Sequence, residues 1–119
     1  MAVPTFQAIV VVDIESFGAR ANPFQVSLRR AMREVIRGSC VQVHIDWDTV
    51  EALDRGDGLI LLVPPATSTV TLAGAFVRML DAVLKERAAM SSDAHRMRLR
   101  VALHPVSYTH LTLPTICSV

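Results

Sequence analysis

Two aspartates stand where a carboxylate could take part in chemistry. Asp13 follows the apolar run F-Q-A-I-V-V-V at residues 6–12, and Asp57 lies within the glycine-rich segment D-R-G-D-G at residues 54–58. Two carboxylates held a few ångströms apart repel each other, and a divalent cation between them removes that repulsion. Because such ligands offer only oxygen, Mg²⁺, Mn²⁺ or Ca²⁺ is expected there rather than Zn²⁺, with a phosphate-bearing ligand completing the shell.

Each aspartate also has a purely structural interpretation. An aspartate at the end of a strand is often a simple cap, and an aspartate between glycines is often only a turn former. For either aspartate considered alone, the structural interpretation is favoured over a functional one. Their joint occurrence, together with the short loop that follows Asp13, favours a functional pair.

Hydrophobic periodicity predicts the elements that must position this pair. The β-branched run before Asp13 is typical of a central strand. Asn22 and Pro23 form a helix-start signal, and apolar residues recur at helical spacing from Leu28 to Ile36. This helix could end at Gly38 or continue to about His44. The other predicted elements are strands at 49–53 and 59–63, a helix at 70–87 and a strand at 97–103. The D-R-G-D-G hairpin joins the first two of these strands, with Gly56 and Gly58 expected to supply the positive φ values of a tight turn.

The order of these elements predicts an α+β fold, a ferredoxin-like βαββαβ sandwich. In that topology the first and third strands are antiparallel neighbours. The end of one therefore lies beside the start of the other, so Asp13 and Asp57 are expected at the same edge of the sheet.

Composition limits the possible partners and compartments. The chain has 119 residues and a formal net charge of +1, which fits one domain and gives no electrostatic reason to expect nucleic acid. No apolar run is long enough for membrane insertion. Cys40 and Cys117 lack metal-type spacing and are expected as free thiols, in a cytoplasmic protein.

Three segments resemble a known enzyme family, the class III nucleotidyl (adenylate/guanylate) cyclases. V-V-V-D-I-E-S-F-G at 10–18 and R-G-D-G-L-I-L-L-V at 55–63 resemble the two metal motifs of their catalytic domain. M-R-L-R-V-A-L-H at 97–104 resembles the strand in which the family reads Arg-Ile-Gly-Ile-His. The two aspartates are 44 residues apart, about the family's usual separation. The resemblance covers residues 5–104. The wording of the motifs resembles that of an actinobacterial branch of cyclase-like proteins.

The resemblance implies a role for each matching residue. Asp13 and Asp57 would be catalytic metal ligands for two Mg²⁺ or Mn²⁺ ions, and the backbone carbonyl of Ile14 would add a ligand. The loop containing Phe17 and Gly18 would bring backbone N–H groups to the triphosphate. The implied reaction converts a nucleoside triphosphate to a 3′,5′-cyclic nucleotide and pyrophosphate by two-metal catalysis.

The sequence departs from the family at the base-reading position. Family members commonly carry Lys or Glu four residues before the second aspartate, and this chain has Leu53 there. Leucine makes no polar contact with a base. The choice between ATP and GTP therefore stays open, and so does catalytic activity itself.

The family also implies a larger assembly. Its active sites form between two catalytic domains, so the intact parent protein is expected to be a homodimer that binds a nucleoside triphosphate. The Asn and Arg that support the transition state would follow residue 104. The chain is thus expected to be the N-terminal portion of an incomplete cyclase fold, and to be inactive by itself.

The last residues resemble something other than a protein domain. Residues 106–115, V-S-Y-T-H-L-T-L-P-T, resemble the direct translation of a transposon-end sequencing adapter. The expected division is therefore a cyclase homology domain at 1–104 and a non-native tail at 105–119. A real short strand near 111–114 is the alternative.

Two other functions compete with cyclisation. A cyclase-like module could bind nucleotide or dimerise to regulate a partner without catalysis, and Leu53 is the main support for this alternative. An aspartate-dependent phosphotransferase or phosphatase is the other, because D-I-E-S at 13–16 faintly echoes a D-x-D-x-T loop. That fold needs a longer α/β wrap, and the early hairpin argues against it.

Overall fold

A computed structural model of the protein describes residues 8–19, 22–90 and 96–105 in full, and residues 115–118 as backbone. The strands and the first helix are β1 (Ala8–Ile14), α1 (Asn22–Gln42), β2 (Glu51–Asp54), β3 (Gly58–Val63), β4 (Leu99–Pro105) and β5 (Thr115–Ser118). Short 3-10 turns lie at Phe17–Ala19 and Trp47–Thr49.

The second long helix, α2, has three consecutive parts. It begins with the α-helical turn Thr69–Thr71, passes through a π-helical segment at Leu72–Phe76, and continues as the α-helix Val77–Ala88. The hydroxyl of Ser68 accepts a hydrogen bond from the Thr71 backbone N–H at 3.0 Å. This bond satisfies one of the unpaired donors at a helix start, which is the usual reason for serine at that position.

All strands belong to one antiparallel sheet with the order β2-β3-β1-β4-β5. Its first four strands and the two helices form the predicted ferredoxin-like βαββαβ arrangement, which confirms the predicted fold class. β1 is central, and it pairs with β3 on one side and β4 on the other.

Helices α1 and α2 cover one face of this sheet. The burial of β1 alternates with a period of two, and Val10, Val12 and Ile14 are almost completely buried on the covered face. From the helices, Leu28, Met32, Ile36, Phe76 and Leu80 complete the most buried part of the same core. Burial of these side chains is the main force that stabilises the fold.

The opposite face of the sheet carries the alternate residues of each strand. On β1 these are Ile9, Val11 and Asp13, and Val11 is 36% exposed. On β4 the corresponding residue beside Asp13 is Arg100, which is exposed. The Asp13 side chain therefore lies on the face that the helices leave uncovered.

The predicted element boundaries needed several corrections. β1 includes Ile14, because Ile14 is buried and pairs with Leu99. For α1, which the sequence allowed to end at Gly38 or near His44, the structure selects the longer form, since Ser39 and Cys40 in its last turn are buried in the core. The second strand begins after the 3-10 turn at Trp47–Thr49, not within it.

The strand β5 was not predicted. Its backbone pairs with β4 over Thr115–Ser118, inside the segment assigned to a non-native tail. Without β5, β4 presents an unpaired edge that any β-compatible segment can extend. The pairing does not bear on the origin of the tail, which stays a prediction, and the alternative strand at 111–114 lies outside the described residues.

No helix within the described ranges is both long enough and apolar enough to cross a membrane.

Candidate functional site

Asp13 is held at the centre of the sheet by its two neighbouring strands. It lies directly opposite Gly58 of β3 and opposite Arg100 of β4. The side chain of Asp13 is 30% exposed, which leaves the carboxylate open to solvent on the uncovered face.

A tight turn between β2 and β3 places Asp57. The Asp54 carboxylate accepts a hydrogen bond from the Gly56 N–H at 2.7 Å, and the Arg55 N–H donates to the Gly58 carbonyl at 2.9 Å. Gly56 has a φ of +79°, a conformation that glycine adopts without steric cost. The turn therefore fixes Asp57 one residue before the start of β3.

Gly58 is needed for a different reason from Gly56. The sequence predicted a positive φ at both glycines, and this was wrong for Gly58, because Gly56 is the only glycine with a positive φ in the described part of the chain. A Cβ atom at Gly58 would overlap the Val12 carbonyl oxygen and would lie 3.0 Å from the Cα and Cβ atoms of Asp13. The missing side chain lets the turn approach the end of β1.

A backbone hydrogen bond completes this close approach. The Ile14 N–H donates to the Asp57 carbonyl at 2.9 Å. The residue after the first aspartate is thus bonded to the backbone of the second. This bond ties the end of β1 to the glycine turn, so Asp13 and Asp57 cannot separate without breaking it.

Asp13 and Asp57 line one open cavity of about 250 Å³. The residues around it are Val11, Val12, Asp13, Arg55, Asp57, Gly58, Leu59 and Ile60. The cavity combines two acidic side chains and one basic side chain over an apolar strand surface. The structure therefore brings together the two acids that the sequence singled out.

Arg100 forms an ion pair with Asp13. The Arg100 Nε donates to Asp13 Oδ1 at 2.8 Å, a short charge-assisted hydrogen bond. This bond and the charge of Asp13 are the main causes that raise the pKa of the Arg100 guanidinium; desolvation opposes them, and the charges of Glu15 and Asp57 add smaller upward effects. Asp13 is therefore the main electrostatic partner of Arg100.

Sequence reasoning missed Arg100 and Arg55. The signal for Arg100 was the alternation of M-R-L-R-V-A-L, which places Arg98 and Arg100 on one side of the strand. That side could be matched to Asp13 only after the register of β4 against β1 was known. Arg55 belongs to the predicted turn, where an arginine carries no signal of its own, and the structure places it at the cavity with Asp57.

The proposed triphosphate loop follows β1 directly. Ser16 has a φ of +57°, and Phe17–Ala19 forms a 3-10 turn. Phe17 packs against the core, and its carbonyl accepts a hydrogen bond from Gln25 at 3.3 Å. Gly18 is exposed, and a Cβ built on it meets nothing within 4 Å. The fold therefore leaves open space around Gly18.

Leu53 lies on β2, opposite Ile60 of β3, and is 41% exposed. Its side chain is not required by the core. The side chain is open to solvent, and leucine has no polar atom with which it could contact a base.

The residues of the cavity suit a hard divalent cation. Asp13 and Asp57 supply carboxylate oxygens and no softer ligand, which is typical of Mg²⁺ sites that are completed by phosphate and water. In the described residues, no group of three or more His, Cys, Asp or Glu side chains could hold a metal ion. A cation at this site would therefore need ligands from the backbone, the bound nucleotide or solvent.

Cys40 does not take part in this site. It is a free thiol buried in the core at the end of α1, and burial raises its pKa to about 12. A thiol with so high a pKa is almost entirely protonated at neutral pH, and the thiolate is the reactive form. Cys40 is therefore a packing residue.

Comparisons with known proteins bear on the fold. No protein-family model and no curated protein matches the chain. Among solved structures, the chain is similar to the guanylyl cyclase Cya2, with a TM-score of 0.55 and 13% identity over 92% of the chain. The match spans 62% of the Cya2 chain.

Two further cyclase domains are also similar. One is the dimeric guanylyl cyclase domain of the RhoGC fusion protein from Blastocladiella emersonii, with a TM-score of 0.52 and 11% identity over 98% of this chain and 69% of that one. The other is the guanylate cyclase domain of RhGC from Catenaria anguillulae in complex with GTP. Its TM-score is 0.52, with 12% identity over 98% of this chain and 68% of that one. The chain therefore shares its α+β fold with these guanylyl cyclase structures over 62–69% of their length.

Proposed function

We propose that this chain is the metal-binding portion of a nucleotidyl cyclase domain. The observation that carries the proposal is that Asp13 and Asp57, from two distant motifs, line one cavity on the open face of a cyclase-like sheet. The intact parent protein would convert a nucleoside triphosphate to a 3′,5′-cyclic nucleotide and pyrophosphate. The proposal also places the parent protein in an actinobacterial branch of cyclase-like proteins, on the wording of its motifs.

The residues of this chain have separate parts in the reaction. Asp13, Asp57 and the Ile14 carbonyl would hold two Mg²⁺ or Mn²⁺ ions. When bound, such ions lower the pKa of the ribose 3′-hydroxyl and neutralise the polyphosphate. The exposed Gly18 and the adjacent Phe17 would offer backbone N–H groups to the triphosphate, since a Cβ built on Gly18 meets nothing within 4 Å.

Dimerisation is part of the same proposal. The open face of the sheet exposes apolar side chains such as Val11 beside the charged cavity. A second catalytic domain would cover this face and supply the groups that this chain lacks. We therefore expect activity in the homodimeric, cytoplasmic parent protein and none in the 119 residues by themselves.

The second candidate is a non-catalytic nucleotide-binding or dimerising module. Leu53 favours it, because an exposed leucine stands where a polar base-reading residue is common. An aspartate-dependent phosphotransferase is disfavoured: β1 lies between two antiparallel neighbours, and a β2–β3 hairpin takes the place of the α/β wrap that such enzymes need.

Activity of the parent protein tests the proposal. With Mn²⁺ and ATP or GTP, cyclic nucleotide should form slowly, and Asp13→Ala or Asp57→Ala should reduce the rate at least about a hundredfold, since removal of a cation ligand removes its electrostatic stabilisation of the transition state. Asp81→Ala, which removes an exposed acid paired with Lys85 on α2, is the control.

Three results would contradict the proposal in different ways. Tight nucleotide binding without turnover, unaffected by the Asp13 and Asp57 substitutions, would support the regulatory module. A stable phosphoryl group on Asp13 would support a phosphotransferase. Equal loss of activity in Asp81→Ala would mean that the assay reports folding and not the cation site.

A further inference from the structure

The ion pair between Arg100 and Asp13 has a consequence for cation binding. The two residues are direct cross-strand partners, so their side chains leave neighbouring strands at the same height and on the same face. The contact is a 2.8 Å bond from Nε, the donor nearest the backbone. The guanidinium is therefore placed beside Asp13 by the register of the sheet and not by a chance extension of a long side chain.

Asp13 Oδ1 is occupied by this bond. A carboxylate oxygen that accepts a hydrogen bond from a guanidinium is a weaker ligand for a second cation. The positive charge also repels a dication that approaches the same carboxylate. Asp13 is only 30% exposed, so solvent screens this repulsion less than it would at a fully exposed pair.

The partner of Arg100 is one of the two acids that line the cavity. Asp13 and Asp57 line it together, and Asp13 is the acid to which Arg100 is bonded. A cation held between Asp13 and Asp57 would use the same negative field. The guanidinium and the cation therefore compete for one set of carboxylates.

We propose that Arg100 is a built-in counter-ion of Asp13, and that a divalent cation can bind Asp13 only by displacing the Arg100 guanidinium. This inference rests on the proposed function, because it assumes that Asp13 holds a cation. It adds that loading of the site is an exchange of one cation for another. Arg100 thus sets how much free cation the site requires.

Arg98 provides a matched control. It lies two residues before Arg100 on the same side of the chain, and its Nε is 3.7 Å from Glu15 Oε2. Arg98 therefore carries the same charge close to the site, without the bond to Asp13. Arg100→Gln and Arg98→Gln change the net charge equally and differ in the contact that the proposal concerns.

The first measurement is a calorimetric titration with Mg²⁺ alone of the 119-residue chain and of the two variants. Arg100→Gln should bind Mg²⁺ about fivefold to twentyfold more tightly than the unsubstituted chain, the effect of one unit charge acting on a dication through water over several ångströms. Arg98→Gln should change the affinity by less than about twofold. Thermal unfolding of each variant verifies that it is folded.

The second measurement uses the unsubstituted chain, so it does not depend on the folding of a variant. In the ¹⁵N NMR spectrum of the arginine side chains, the Arg100 Nε–Hε signal should be shifted and protected from exchange with water before Mg²⁺ is added. Saturation with Mg²⁺ should move it to the position of solvent-exposed arginines and increase its exchange rate.

Several outcomes would overturn the proposal. Unchanged or weaker binding by Arg100→Gln, an equal gain in Arg98→Gln, or an Arg100 signal that Mg²⁺ does not move would each show that Arg100 is not displaced. If one of these results is obtained while the unsubstituted chain binds Mg²⁺ and Asp13→Asn abolishes binding, only the proposed role of Arg100 fails. If Asp13→Asn binds Mg²⁺ as well as the unsubstituted chain, the cation site of the proposed function fails too.

Discussion

Asp13 shows how a single residue depends on the strands around it. Its backbone lies opposite Gly58 on one side and Arg100 on the other, and its carboxylate is bonded to the Arg100 side chain. The neighbour that follows it, Ile14, is bonded to the backbone of Asp57. The position of this carboxylate is therefore defined by contacts with both flanking strands, which is the condition for a precise ligand site.

Leu53 gives a prediction at the residue scale. In the parent protein, Leu53→Glu should favour GTP, because a carboxylate accepts hydrogen bonds from the donors on guanine, whereas Leu53→Lys should favour ATP, because an ammonium donates to an adenine ring nitrogen. Each change should shift the ratio of kcat/KM for the two nucleotides by about tenfold, which is the effect of one hydrogen bond of about 1–1.5 kcal/mol.

The exposure of Leu53 makes this experiment practicable. The side chain is 41% exposed, so either substitution should leave thermal stability nearly unchanged. Measurement of initial rates with both nucleotides provides the ratio. Identical ratios in the two variants would mean that residue 53 does not contact the base.

Among the elements, the β2–β3 turn contributes most to the site. It carries Asp57, places Arg55 at the cavity, and approaches β1 so closely that Gly58 has no room for a side chain. The hairpin is therefore a positioning device for the second aspartate as well as a connection between two strands.

A pair of glycine substitutions tests this role. Gly58→Ala should lower the free energy of unfolding by about 2–3 kcal/mol, because the added Cβ forces the turn away from Val12 and Asp13. Gly38→Ala in α1 should raise it by about 0.5–1 kcal/mol, since its Cβ meets nothing and alanine loses less entropy in a helix. Urea denaturation measures both. Equal stability of the two variants would show that the turn does not depend on close contact.

The elements also show what the sequence could predict. The short apolar run of β1, the glycine-rich hairpin and the 3.6-residue apolar stripes of both helices were sufficient for the fold class, because each pattern indicates a different kind of element. The D-R-G-D-G motif was sufficient to place Asp57 immediately before β3.

Other features required three-dimensional contacts. The extension of α1 past Gly38 depends on the core, which overrides the low helix propensity of glycine. The ion pair of Arg100 with Asp13 depends on the register between two strands that are 87 residues apart at this point. No local pattern contains that register, so the residue that faces the first aspartate could not be identified from the sequence.

At the scale of the whole molecule, the sheet has two different faces. The helices bury one, and the other presents the acidic pair, Arg55 and Arg100 around an apolar centre. The solved cyclase domains that share this fold are longer, and the chain spans between 62% and 69% of them. We propose that the remaining part and a second domain cover the open face in the parent protein. The adapter origin of residues 105–119 stays a prediction that the uninterrupted gene would test.

The most direct test of the central claim is the binding of Mn²⁺ to the 119-residue chain. The electron paramagnetic resonance signal of the free ion measures how much Mn²⁺ is bound. Asp13→Asn and Asp57→Asn should each weaken binding at least about tenfold, because both carboxylates contact the same ion. Asp54→Asn should bind Mn²⁺ normally, since Asp54 belongs to the same turn but caps Gly56 instead of lining the cavity. Binding that survives both substitutions, or that falls equally in Asp54→Asn, would contradict a cation shared by Asp13 and Asp57.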